Sequence, residues 1–453
     1  MPGIMHAGRG LFFYLSSEGE VLTMKWRDWD VNLKVRLIGE GVFNILFWMF
    51  FPFMAIYFSD HFGQEMSGYL LIFSQIIGTV IGLFGGYCAD HFGRKRMMVF
   101  AAIGQTVCFA FFAWANSPWF VSPWVTFISF SLLGLFGQLY WPASSAMIAD
   151  VVPEKHRAGV FAVFYTSINV TVVIGPLLGA IFFFDNRFAF LSVCTVVSAG
   201  LIWALQHWIH ETVPQTVQPS NDTDSRKGWT QHLKNQLSDY RVIFTDHIFL
   251  LYILAGVLVA QTFMQLDLLI AVYTTNKVPL QSLLSFGDWK FMVSGKDLFS
   301  MMVSMNGLCV SLLTVLVTKW MTKFREGNVF MSSAFCYGIA MILMGSTLNV
   351  WLLLCGVVLF SWAELMTVGV QDSFIAKLAP ENLRGQYFAA AGLRFSLGRT
   401  IAPIAIPMTV WFGYTWTFVV LGTVAFLGMI IYGLMFSIFY RRQAPVSGQT
   451  ESL

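Results

Sequence analysis

Charge is what this sequence has least of. Only 11% of its 453 residues are Asp, Glu, Lys or Arg, against 57% hydrophobic. Soluble domains carry roughly a quarter charged residues, so a chain of water-soluble domains is excluded. Cysteine is scarce too. The six present (Cys88, Cys108, Cys194, Cys309, Cys336 and Cys355) all lie within apolar stretches or at their ends. None has a partner at metal-ligand spacing, which argues against zinc or redox chemistry and leaves them as packing residues. No metal and no cofactor is expected. No nucleophile stands beside a base, so an enzyme is not expected either. The net charge of +3 is too small to point to nucleic acid.

What is there is long apolar runs. Stretches of about twenty residues recur, the length needed to cross a bilayer as a helix. Twelve are read: 37–58, 67–89, 97–115, 122–149, 158–184, 188–208, 247–273, 298–317, 329–346, 350–376, 386–411 and 414–437. An even number puts both termini on one side. Of the lysines and arginines between spans, twenty fall on that side and four (Arg187, Lys277, Lys290 and Lys296) on the other. The excess of basic residues marks the cytoplasmic side. The expectation is a multi-pass protein of the cell membrane with both termini cytoplasmic.

The layout reads as a cytoplasmic segment over 1–36, a six-helix bundle over 37–208, a linker over 209–246, a second bundle over 247–437 and a tail over 438–453. The apolar run Leu11 to Leu15 is too short for a secretory signal, and Met24 is expected to be the true start. In the linker, Trp229, Leu233, Leu237 and Tyr240 recur at helical spacing beside Lys234 and Arg241. They predict a helix lying on the inner membrane surface, the competing reading being an undocked loop helix.

One polar run stands between two uncharged spans: Gly86-Tyr87-Cys88-Ala89-Asp90-His91-Phe92-Gly93-Arg94-Lys95-Arg96. This pattern resembles the loop between helices two and three of the major facilitator superfamily. An internal repeat agrees with that resemblance. Ile148-Ala149, Pro153-Glu154, Arg157 and Pro176 recur as Ile375-Ala376, Pro380-Glu381, Arg384 and Pro403, always 227 residues on. Two halves related by a parallel repeat are expected. The fold class is therefore an all-α membrane protein of twelve transmembrane helices in two six-helix bundles, the major facilitator fold.

Ionisable groups inside the spans are few, and each is a candidate site. A charge at the bilayer centre costs about 3 kcal/mol or more on insertion scales, so it must face protein or water. A buried carboxyl also holds its proton more tightly. Glu364 is the foremost candidate, about 20 Å into the tenth span, and Arg394 lies about 12 Å into the eleventh, reckoned at the helical rise. The two are expected to pair, either as a static bridge or as one that protonation opens. Asp267 in the seventh span is either a second proton or cation site or an interfacial residue. Glu40 lies one turn after Arg36, so a surface i,i+4 pair competes with a transport role. Arg399 precedes Pro403 and is placed to meet carbonyls freed by the proline.

Gly86, Asp90, Gly93 and Arg94, with Asp150 and Arg157, form a candidate conformational gate. The competing reading makes the basic residues topology signals and Asp90 a turn cap. Gly175-Pro176-Leu177-Leu178-Gly179 is a candidate kink, or a simple packing bend. Aromatics reach 17%, crowding the first span (Phe43, Phe47, Trp48, Phe50, Phe51, Phe53), and Asn44, Gln138 and Asn169 are polar cavity candidates.

From Lys25 onward the chain resembles the drug:proton antiporters of the superfamily, closest to the LmrP type. The resemblance rests on Gly86 to Arg96, Asp150 with Arg157, Asp267 and Glu364. It implies proton-coupled export of lipophilic compounds, cations above all, by a monomer that alternates access within membrane lipid. It assigns Glu364 and Asp267 to proton or cation binding, Asp90 with Asp150 to the gate, and the Gly175–Pro176–Gly179 kink to antiport. Phe164 stands where that type would carry an acid. The alternative is a symporter or a lipid or metabolite carrier on the same fold.

Overall fold

The computed structural model describes residues 26–212, 246–380 and 384–443. The expected surface helix over 229–241 and the start at Met24 lie outside the described residues. Among the described residues, eleven helical stretches are long and apolar enough to span a bilayer. They are α1 (Val31–Phe62), α2 (Gln64–Phe92), α3 (Arg94–Trp114), α4 (Pro123–Val151), α5 (Glu154–Asp185), α6 (Arg187–Trp208), α7 (His247–Lys277), α8 (Gly295–Met321), α9 (Glu326–Gly345), α10 (Val350–Leu378) and the stretch Leu393–Arg442. The last holds 50 residues. A straight helix of that size would be about 75 Å long, more than twice a bilayer core. Gly413, at φ 77°, folds it into α11 (384–412) and α12 (414–443), so the expected twelve crossings are present.

Local chemistry sets the helix starts. Asp30 caps α1 by accepting from the Asn32 N–H at 2.7 Å. Asp246 does the same for α7 (Ile248 N–H, 2.9 Å), and Asn349 for α10 (Trp351 N–H, 3.0 Å). Ser294 and Asp297 form a reciprocal capping box on α8. Each satisfies N–H groups that a helix cannot satisfy internally. The Asp30 cap starts α1 at Val31, six residues before the apolar run alone predicts. Gly63 (φ 78°) and Gly93 (φ 102°) are single-residue joints between consecutive helices, a conformation that side-chain-bearing residues rarely adopt.

The packing repeats. In the first half α1 packs on α5 and α6, and α3 on α4 and α6. In the second half α7 packs on α11 and α12, and α9 on α10 and α12. Adding six to each number of the first set gives the second. Two related six-helix bundles follow, as the 227-residue repeat predicts.

By compactness the chain divides into two units, Met1–Phe51 with Ile77–Arg226 and Pro52–Ile76 with Lys227–Leu453. The division cuts α1 at the 3₁₀ turn Phe51–Phe53. Within the second unit, Phe53 lies edge-on to Phe299 at 5.7 Å, and Thr409 donates to Gln64 Oε1 at 2.7 Å. Gly68 is so near Pro407 that an added Cβ would collide with its ring.

Two short antiparallel pairs complete the described structure. β1 (Asn116–Ser117) pairs with β2 (Phe120–Val121) between α3 and α4. β3 (Gln281–Phe286) pairs with β4 (Trp289–Val293) between α7 and α8.

Candidate functional site

In the first unit, the joint at Gly93 starts a polar network. Arg94 opens α3 and reaches back to Asp90 Oδ1 at 2.7 Å, one helical turn away. Its Nε also donates to Asp150 Oδ2, at the end of α4, at 3.2 Å. A further N–H bonds the Ala89 carbonyl at 3.0 Å. The expected Asp90–Arg94–Asp150 grouping therefore forms. Arg157 stays out of it and donates to the Val152 carbonyl at 3.1 Å. Two members have no counterpart in the sequence reading. Glu211 Oε1 accepts from the Arg94 N–H at 2.8 Å, placing a carboxylate at the positive end of α3, and Thr212 donates to Asp150 at 2.9 Å. The available signal was a lone acid just beyond the sixth apolar run.

Deeper in the unit, Arg36 and Glu40 do not form a surface pair. Arg36 is fully buried and Glu40 nearly so. Glu40 Oε1 accepts from Arg36 Nε at 2.8 Å, from Tyr140 OH at 2.9 Å and from Ser144 Oγ at 3.0 Å. Arg36 also bonds Ser144 Oγ and lies 5.1 Å over the ring of Phe164. The residue standing where an acid was expected thus presents an aromatic face to a cation. Tyr140 and Ser144, one turn apart on α4, convert an i,i+4 pair into a buried cluster.

Along α5, Gly175 and Pro176 are buried in an unbroken helix. A Cβ at Gly175 would lie 2.5 Å from Trp48 Cβ and 2.9 Å from the Trp48 carbonyl carbon. The small residue is therefore required by the close approach of α1 and α5. Gly179 lies buried one turn further on. Gln138 is half-buried and its Oε1 lies against Gly82, whereas Asn169 donates to its own helix at the Tyr165 carbonyl.

In the second unit, Glu364 and Arg394 do not pair, contrary to expectation. Asn306 on α8 donates to Glu364 Oε2 at 3.0 Å and to Ser361 Oγ at 3.0 Å. Arg394 instead donates to Gln371 Oε1 at 2.7 Å and bonds the Tyr252 hydroxyl, its guanidinium 5.0 Å over the Tyr252 ring. Gln371 lies seven residues beyond Glu364, about 10 Å at the helical rise. Arg394 is held by these partners of its own. Gly256 makes room for it, since a Cβ there would meet Arg394 Cδ at 2.8 Å.

Asp267 ends a 3₁₀ break in α7, Met264–Asp267, and Leu268 after it has φ −116° and ψ −90°. Asp267 Oδ1 is shielded from solvent with no hydrogen-bond partner among the described residues, and so is Gln265 Oε1. Arg399 and Glu364 are both within electrostatic reach of Asp267. A cavity of about 650 Å³ opens where α7 ends and α12 begins, lined by Gln64, Tyr273, Lys277 and Tyr414 among others. Neither Asp267 nor Glu364 lines it. Among the described residues no three His, Cys, Asp or Glu side chains gather as a metal site would require.

The chain as a whole has clear relatives. The profile of the Major Facilitator Superfamily matches residues 37–287 and 278–452. A Na(+), Li(+), K(+)/H(+) antiporter of Planococcus maritimus is 50% identical over 419 residues, which is 92% of this chain and 99% of that protein. Multidrug resistance protein MdtH of Shigella flexneri serotype 5b is 26% identical over 385 residues, covering 82% of this chain and 85% of that one. Among solved structures, a POT family transporter in complex with 5-aminolevulinic acid superposes with a TM-score of 0.72 at 17% identity, over 93% of this chain and 98% of that chain. At that identity the likeness speaks for the fold alone.

Proposed function

The chain belongs to the major facilitator superfamily, and on that premise we propose that it moves cations out of the cell in exchange for protons by alternating access. It is a multi-pass membrane transporter and not an enzyme. The observation that carries the reading is the environment of Glu364. This carboxylate sits within an apolar span, and among the described residues its side-chain hydrogen-bond partner is the neutral amide of Asn306. A membrane carboxylate with no fixed counter-ion must find a proton or a mobile cation. Holding one excludes the other, and that competition is what antiport needs. Asp267, with its orphaned Oδ1, is the second acid of the same reading. Glu40 differs: Arg36, Tyr140 and Ser144 saturate it, so we assign it a structural role. Asp90, Arg94 and Asp150 serve as the gate latch, Arg394 positions α10 against α7, and the Gly175–Pro176–Gly179 stretch sets the α1–α5 contact.

Alkali cations are the first choice of cargo. The half-identical Planococcus relative is named for them, and Glu364, Ser361 and Asn306 offer the hard oxygen atoms such ions prefer. Lipophilic organic cations, as in LmrP-type efflux, are the second reading. It is favoured by the MdtH relatives and by the stacked aromatics of α1, where Phe47 and Phe51 lie 4.8 Å apart. The protein is taken to act as a monomer in the cell membrane with both termini cytoplasmic, as the basic-residue distribution supports.

Everted vesicles with an acid interior separate the readings. Adding NaCl, LiCl or KCl is expected to collapse the pH gradient, reported by recovery of acridine fluorescence. Glu364→Gln should abolish that recovery at unchanged protein content. A gradient dissipated by lipophilic dyes and by no alkali salt would favour the second cargo. Full recovery in Glu364→Gln would remove Glu364 from the mechanism, and proton movement in the same direction as the cation would mean symport.

A further inference from the structure

One face of the β3–β4 hairpin is apolar toward its tip and, among the described residues, largely uncovered; the opposite face is mixed, with Ser285 and Lys290 near the tip and Met292, 43% exposed, nearer the root. Leu284 pairs with Phe291 and Phe286 with Trp289, which puts these four on one face, while Ser285 pairs with Lys290 on the other. Phe286 stacks on Trp289 at 6.1 Å, and Trp289 on Phe291 at 6.2 Å. The face is closed at its root and opens toward the tip. Val293 is 1% exposed, Leu284 and Phe291 are 41% and 42%, and Trp289 and Phe286 reach 56% and 69%. Gly287, the first of two loop residues, has φ 60°, as a tight type II′ hairpin requires. The ladder is therefore built and held, and among the described residues its four large apolar side chains are only partly covered, least so at the tip.

We propose that this face lies in the bilayer interface, on the side away from the termini, and anchors the α7–α8 connection to lipid. The strands begin close to the ends of two membrane helices, since α7 ends at Lys277 and α8 starts at Gly295. Gln281, at the root, donates to the Leu348 carbonyl at 2.7 Å. That places the hairpin beside Leu348, Trp351 and Leu352, exposed apolar residues where α10 enters the membrane. The apolar face thus continues the lipid-facing surface.

Orientation follows from length. A six-residue strand is about 20 Å long, whereas the headgroup layer is only about 5–8 Å thick. Standing upright, the hairpin would carry Phe286 and Trp289, its most exposed apolar residues, out into water. Lying down, it sinks the aromatic ladder among the headgroups, where Trp is enriched, and leaves Ser285 and Lys290, with the partly covered Met292, facing water.

The test uses the full chain in a cysteine-free background, reconstituted in liposomes. Single spin labels are placed at Phe286→Cys, Trp289→Cys, Ser285→Cys and Lys290→Cys, with Leu284→Cys reading the apolar face while its aromatics remain. Labels at 284, 286 and 289 are expected to collide several-fold more with oxygen than with a water-soluble nickel chelate. Labels at 285 and 290 should show the reverse. A nickel preference at 286 and 289 would mean the hairpin stands in water and would overturn the proposal. Low collision with both reagents, with dipolar broadening between labels, would assign the face to a second copy of the chain and overturn it equally.

Discussion

Glu40→Gln tests whether the buried cluster of the first unit is structural. In the native chain, Glu40 Oε1 takes hydrogen bonds from Arg36 at 2.8 Å, Tyr140 at 2.9 Å and Ser144 at 3.0 Å. The amide oxygen of glutamine can keep those of Tyr140 and Ser144. What it cannot keep is the anion beside a guanidinium that has no access to water. Removing one partner of a buried ion pair costs about 3–5 kcal/mol, and the surviving hydrogen bonds place this case near the lower end. For a unit of this size, about 2–4 °C of melting temperature accompanies each kcal/mol, so a fall of roughly 6–12 °C is expected. Thermal unfolding of the purified protein, followed by loss of monodispersity, measures it. Adding Arg36→Met removes the stranded cation. Because a buried pair can be exchanged for apolar side chains at little net cost, the double variant should recover most of the loss. It should also retain cation-dependent proton movement. A single variant melting within a degree of the parent would show that Arg36 needs no counter-ion, and the cluster argument would fail. A stable but inert double variant would move Glu40 into the coupling machinery.

Two further outcomes are expected. Asp150→Asn removes the anion 3.2 Å from Arg94; a charge-assisted hydrogen bond worth about 1.5 kcal/mol is roughly tenfold in an equilibrium, so turnover in the vesicle assay should fall by up to that factor at unchanged protein content, and an unaltered rate would speak against a latch. Gly175→Ala should cost about 1–3 kcal/mol by overpacking, because the new Cβ meets Trp48 backbone that cannot rotate away; a parental melting temperature would show that α1 and α5 have room to part.

The parts of this molecule that were legible in the sequence are those the bilayer dictates. Every backbone group in hydrocarbon must bond within its own helix, so a span declares itself through an apolar run. The Asp90–Arg94–Asp150 network was legible as well, since its first two members are one turn apart and the third ends the next span but one. Depth arithmetic failed for Glu364 and Arg394 because it treats helices as straight and says nothing of direction around the axis. In α10 the last helical turns follow a break at Gly369–Val370, and in α11 Gly392 interrupts the helix just before Arg394. The arginine is claimed there by Tyr252, 142 residues distant in sequence. Spacing likewise revealed that Arg36 and Glu40 meet, but their burial depends on Ser144 and Tyr140, about a hundred residues later. The hairpin was missed for a different reason. Its signal is an alternation of only three residues on each side of Gly287-Asp288, Leu284-Ser285-Phe286 and Trp289-Lys290-Phe291, which an average taken over the length of a membrane span erases. Amphipathic elements lying along a bilayer surface are therefore best sought in the connections, where a short alternating pattern with aromatics stands out once the spans have been set aside.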